Sequence, residues 1–260
     1  AQASAGRRVA WLSLDAGASA DVVLALPLHA GSPLPAASED ANALYARERA
    51  ASMAQWQRAL DRVEYVVPAA DESMIRAVRS TLAYIEINRD GPAIQPGSRN
   101  YARAWIRDGA FTSVALLDAG HTEEVRDFLR WYATFQFPDG RIPCCIDRRG
   151  ADRVPENDSE GEFLFTLAQY YRYTRDVGFV YELWPAATRA ADATLALRAR
   201  RSTPEYDRDE NLPMRGLLPE SISHEGYSGH PVHAYWDDFF ALRGLGDAVL
   251  LARVVGDATN

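Results

Sequence analysis

The hydrophobic period of this chain changes once, near residue 40, and that change constrains its fold more than any other feature. From Arg8 to Leu28 apolar residues fall in short β-like runs. Val9, Trp11 and Leu12-Ser13-Leu14 lead into Asp15-Ala16-Gly17, and Val22-Val23-Leu24 resumes. This reads as a hairpin. A lone hairpin is marginal in water, so the strands of residues 1–30 are expected to complete a sheet whose other strands lie upstream. Residues 31–41, with Pro33 and Pro35, read as a linker, and Ser38-Glu39-Asp40 offers an N-cap followed by a helix.

Beyond this point apolar residues recur at near 3.6. The pattern predicts helices over roughly 42–63, 71–88, 104–119, 122–136, 160–175, 178–200 and 234–255, separated by Gly, Pro and Asn stops. Aromatics lie inside them (Trp56, Tyr84, Trp131, Tyr170, Tyr171, Trp184), as expected where a helix packs on two neighbours. The fold class is therefore mainly α, and paired helices point to a toroid of α-hairpins over 42–260. A TPR or HEAT array also pairs helices, but no fixed sequence period is present, and the long polar loops favour an enzyme.

Composition narrows the partners. A formal charge of −8 with no segregated basic cluster argues against nucleic acid. All 28 basic residues are Arg, which excludes a Schiff-base or P-loop lysine. No apolar run approaches the roughly 20 residues of a membrane span. Cys144 and Cys145 are adjacent and cannot close a stabilising loop; a metal pair or a redox role is the alternative to two inert thiols.

Three segments carry chemistry. In Arg103-Ala104-Trp105-Ile106-Arg107-Asp108-Gly109, an Arg-Asp pair opens an apolar helix. Carboxylate and guanidinium suit sugar hydroxyls and Trp105 offers a flat apolar face; the alternative is an Asp108 that stabilises the helix end over a core Trp105. Asp139-Gly140-Arg141-Ile142-Pro143 is a turn leading to Glu156-Asn157-Asp158-Ser159-Glu160-Gly161-Glu162. These carboxylates suit sugar or Ca²⁺, but Asp158-Ser159 capping the next helix also explains them, and no EF-hand spacing occurs. The segment from Gly216 to Asp238 packs His224, His230, His233, Glu220, Glu225, Tyr227, Tyr235, Trp236, Asp237 and Asp238 among Pro and Gly bends. That density points to a site. The histidine spacing matches no compact zinc signature, so no metal is expected, and Asp237-Asp238 can serve as a helix cap. Glu220, beside Pro219 and near Leu217 and Leu218, is expected to have the raised pKa a general acid needs.

Taken in this order, the three segments resemble the glucoamylase and bacterial trehalase-like inverting glycoside hydrolases, within the wider six-hairpin group. The match covers roughly residues 100 to 255. Trp105-Ile106-Arg107-Asp108 matches the family's Trp-x-Arg-Asp helix start, Gly161-Glu162 its Gly-Glu helix start, and Tyr171 to Asp176 its Tyr-x-x-Thr-x-Asp helix end. Gly216 to Glu220 followed by His233 is similar to its general-acid loop. Where the family carries Trp-Glu, this chain has Leu218-Pro219-Glu220 with one residue more, which leaves Glu225 and Asp238 as alternatives.

The resemblance implies an (α/α)6 barrel, incomplete here, behind the tail of a β-sandwich. It implies an exo-acting hydrolase of α-glucosides or related oligosaccharides or polysaccharides, with no cofactor. Glu220 would be the general acid and Arg107 and Asp108 would hold the terminal sugar, with Trp105, Tyr227, His233 and Trp236 lining the pocket. Inversion needs a second carboxylate about 6.5–9.5 Å away. By the same analogy the general base lies beyond residue 260, and the missing half of the barrel, or self-association, would cover an apolar face. A polysaccharide substrate favours a periplasmic or extracellular location. A phosphorylase or polysaccharide lyase using His224, Tyr227 and His233, or a non-catalytic sugar-binding module, are the competing expectations.

Overall fold

The computed structural model describes residues 12–26, 31, 33–36, 39–222 and 230–257. The chain divides into two compact units, 1–59 and 60–260. In the first, Ala18 N donates to Asp15 O at 3.0 Å and Gly17 takes φ 85°, so the expected turn forms. No ladder forms within residues 12–26, and Val9 and Trp11, where the first expected strand begins, lie outside the described residues. Among the described residues no strand packs on this segment, and Leu24 and Leu26 stand exposed. Asp40 behaves as the sequence asks, its Oδ1 accepting from Ala43 N at 2.8 Å to cap helix α1 (Ala41–Leu60).

The second unit holds α2 (Glu72–Asn88), α3 (Ile106–Asp118), α4 (Thr122–Ala133), α5 (Ser159–Thr174), α6 (Val177–Ala199) and α7 (Tyr235–Val255). The chain is thus mainly helical. Connections alternate in length. Residues 119–121 join α3 to α4 and residues 175–176 join α5 to α6, whereas 134–158 and 200–234 are long. Arg175 and Gly120 turn the short links with φ of 57° and 79°, and Asp176 caps α6 by accepting from Phe179 N at 2.9 Å.

Alternate helices pack on each other. α5 lies between α3 and α7, and α4 and α6 pack against these three. Phe128, Tyr132, Phe163, Leu164, Leu167 and Leu251 are fully buried at their junction, each worth about 2 kcal/mol of burial. The α5–α7 crossing is backbone on backbone: a Cβ on Gly161 would stand 2.2 Å from Phe240 O, and one on Gly244 would stand 2.5 Å from Gly161 Cα. Only glycine fits either place.

A small antiparallel sheet stands before α3 and α5. Its strands β1 (Ala104–Trp105), β2 (Cys145–Asp147) and β3 (Gly150–Ala151) run in that order, with Trp105 opposite Cys145 and Ile146 opposite Ala151. Ala104 and Trp105, expected at the start of a helix, are therefore extended. Ile106 N still donates to Cys144 O at 3.0 Å, so the ladder holds the chain until α3 begins.

Candidate functional site

The long connections gather at one end of the helical unit, together with the N-termini of α3, α5 and α7. Arg107, in the first turn of α3, is the hub. Its Nε donates to Asp158 Oδ2 at 2.9 Å, an Nη pairs with Glu156, and Glu162 Oε1 lies 4.0 Å away. Trp236, in the first turn of α7, donates its indole N–H to the same Asp158 oxygen at 2.9 Å. Asp158 is fully buried and caps nothing; its carboxylate ties three helix starts together, which corrects the capping expectation.

This cluster holds more acid than base. Burial works against the Arg107 charge, but Asp158, Glu156 and Glu162 outweigh it and raise its pKa. Burial pushes Glu156 up despite Arg107, helped by the Asp158 charge. Glu162, wholly buried and without a well-formed hydrogen bond among the described residues, is pushed well above the carboxylate range by burial and then by Asp158. Asp108, half-buried in the same turn of α3, is raised by burial against the pull of Arg107. One guanidinium does not offset the burial of Asp108, Glu156 and Glu162, and all three are raised.

Glu220 belongs to a second group at the same end. Its carboxylate meets an Arg201 guanidinium at 2.5 Å, and this hydrogen bond holds its pKa below the ordinary value. That overturns the expected raised pKa: the neighbours of Glu220 in sequence are apolar, but Arg201, far away in sequence, is its partner in space. Arg201 also reaches His233 Nδ1 at 3.3 Å, and His233 Nε2 stands 3.5 Å from Asp238. Neither acidic residue in the first turn of α7 caps the helix. Asp238 accepts from Leu218 N at 2.7 Å and Asp237 from Ser221 Oγ at 2.7 Å, fastening the 216–222 loop to α7.

Asn157 bridges the groups, donating to Pro219 O at 2.8 Å, and Ile222 N donates to Pro155 O at 3.1 Å. Glu220 faces a cleft of about 560 Å³ bounded by Asp152, Val154, Pro155, Ser221 and Pro231. The structure thus joins Arg107 to Trp236 through Asp158, and Glu220 to His233 and Asp238 through Arg201 and His233. Trp105 stands apart, half-buried in β1 with the Arg103 guanidinium 5.2 Å over its ring. Glu225, Tyr227 and His224 lie outside the described residues.

The sequence reading passed over Arg201, and treated Glu156, Asp158 and Glu162 as members of an acidic run. The signal for Asp158 and Glu162 was present: a carboxylate at each of positions 156, 158, 160 and 162 exceeds what one cap requires. Glu160 proves separate, pairing with Arg141 at 2.6 Å and accepting from Ile142 N at 3.1 Å, which pins the Asp139–Ile142 turn to α5.

Among the described residues one grouping has the spacing of metal ligands. Glu86, His121 and Glu124 offer atoms within 4.8 Å of one another. Arg89 holds Glu86 at 2.8 Å and Arg62 holds Glu124 at 2.6 Å, so two cations already neutralise the carboxylates. Their hydrogen bonds, from Glu124 first and then Glu86, overcome burial and raise His121 to about 9. This is an imidazolium fixed between α2 and α4, and it leaves little charge for a divalent ion.

No model of a protein family matches this chain, and no curated protein matches it.

Proposed function

We propose that the helical unit is part of a six-hairpin, (α/α)6-type glycoside hydrolase acting on α-glucosides or related oligosaccharides by an inverting acid–base mechanism. The observation that carries this reading is the convergence of the N-termini of three alternate helices, under two long connections, on carboxyls of opposite character. Glu220 is kept ionised by Arg201, while Asp108 and Glu156 are pushed toward their protonated forms by burial. Carboxyls driven apart in this way are what an acid and its complementary base require. The packing of α3, α5 and α7 as one layer, with α4 and α6 behind, supports the toroid.

Two assignments of the general acid follow. Glu220 serves if Arg201 releases it when sugar binds. Asp108 serves if the resting protonation is the working one, and Glu220 then accepts a hydroxyl proton or orders water. Arg107 and Trp236 position the sugar in either case, with His233 beside Glu220.

The test is sugar release from α- and β-glycosides by the protein, expressed with whatever sequence its gene continues into. Hydrolysis that falls at least 100-fold in Glu220→Gln assigns the acid or base to Glu220. A matching loss in Asp108→Asn with Glu220→Gln near wild type moves the acid to Asp108. Silence on every glycoside, with and without phosphate, defeats both hydrolase and phosphorylase and leaves sugar binding without turnover.

A further inference from the structure

A cleft of about 830 Å³ has none of the Arg107 or Glu220 group in its lining. It opens between the loop 90–103, the end of α4 and the β2–β3 hairpin. Trp131 and Phe135, with ring centroids 5.3 Å apart and edge to face, form its apolar side. Its charged lining is Arg99, Arg103, Arg148 and Arg149 against Asp90 and Asp147, two positive charges in excess within a chain of formal charge −8.

The four guanidiniums are not equivalent. Arg103 and Arg149 both engage Asp147, at 3.2 and 2.6 Å, and Arg103 also meets Asp152 at 2.8 Å. Arg99 and Arg148 are exposed and form no ion pair among the described residues. Arg99 is also held in the left-handed region, φ 59°, which residues with side chains avoid. Two uncommitted guanidiniums on the lining of one cavity offer donors suited to a carboxylate or a phosphate. An aromatic wall beside them suits the C–H face of a ring. Asn100 and Gln95, also on the lining, can both donate to and accept from hydroxyls.

We infer that this cleft binds a saccharide bearing an anionic group, with the anion at Arg99 and Arg148 and the sugar ring against Trp131 and Phe135. The saccharide part rests on the glycoside-hydrolase reading; the anion part stands on the lining alone. It is a binding site separate from the proposed catalytic end, and it selects acidic over neutral sugars. The attraction comes from exposed charges, so it weakens as ionic strength rises.

Calorimetric titration with glucuronate, glucose 6-phosphate, glucose and inorganic phosphate tests this, on wild type and on the Arg99→Gln/Arg148→Gln double variant. Both side chains are exposed, so the variant should keep its helical circular dichroism. The expected result is binding of glucuronate or glucose 6-phosphate, weakened at least tenfold in the double variant and by added salt, with glucose much weaker. Which acidic sugar binds identifies the anion as carboxylate or phosphate. The inference is overturned if neither acidic sugar binds, if glucose binds as tightly, or if the double variant keeps wild-type affinity. Inorganic phosphate binding as tightly as glucose 6-phosphate overturns the saccharide part. Sugar release without acidic-sugar binding sinks this site and spares the hydrolase reading; binding without sugar release does the reverse.

Discussion

Two clusters in the helical unit both set guanidiniums against carboxyls and behave in opposite ways. At the Glu86–His121–Glu124 cluster, Arg62, Arg89 and a protonated His121 face two carboxylates, and both carboxylates are held below their ordinary pKa. At the Arg107 cluster one guanidinium faces Glu156, Asp158 and Glu162, and Glu156 and Glu162 are pushed up. Burial raises a carboxyl's pKa in both places. What differs is whether enough positive charge is near to reverse it. A balanced cluster contributes stability, whereas an acid-rich one stores protons at some cost in stability, which is typical of sites shaped by function.

The largest expected effect is at the balanced cluster. His121→Ala removes a fully buried side chain and the partner that Glu86 and Glu124 share, while Arg89 and Arg62 still hold them, and should cost about 3 kcal/mol in urea unfolding. The pH dependence has a definite sign. His121 has a folded pKa near 9, above its unfolded value of about 6.5, so its contribution is complete below about pH 6.5 and is lost as pH rises through about 9. Unfolding measured at pH 6 and pH 10 should show that decline in wild type and not in the variant. A wild-type stability flat over this range would break the comparison.

At the acid-rich cluster the sign inverts. Glu162→Gln removes a carboxyl whose folded pKa lies above its unfolded value, so ionisation of Glu162 destabilises the fold as pH climbs past the unfolded pKa. The variant should gain about 1 kcal/mol at pH 7 and nothing at pH 4. A loss of several kcal/mol at pH 7 would mean that Glu162 is paired as firmly as Glu124. Smallest of all is Glu220→Gln: its side chain is 47% exposed, and losing the pair with Arg201 should move stability by under about 1 kcal/mol. A thermal melt that confirms this makes any loss of sugar release in that variant a statement about chemistry and not about folding.

Much of the helical frame was legible in the chain. The predicted segments match α2 and α4–α7 to within about three residues, because each buries an apolar stripe and ends at a recognisable stop such as Gly120, Asp176 or Gly256. The site was legible as three dense segments but not as a set of pairs. Asp158 and Asp238 both read as caps, since a carboxylate before an apolar helix ordinarily is one. Their real partners, Arg107 and Trp236 for Asp158 and Leu218 N for Asp238, lie 20 or more residues away. Glu220 misled for the same reason: Leu217, Leu218 and Pro219 predicted an apolar surrounding that Arg201 replaces.

The sequence by itself determined where the chain turns helical, which glycines and acidic residues punctuate it, and that its long loops are rich in carboxylates and aromatics. These are local properties, set by side-chain period and backbone preference over a few residues. Only the tertiary structure decided which carboxylates keep a proton, which arginines are already paired and which stand free over a cleft. Those depend on burial and on charges within a few ångströms, and the helix packing sets both by bringing distant residues together.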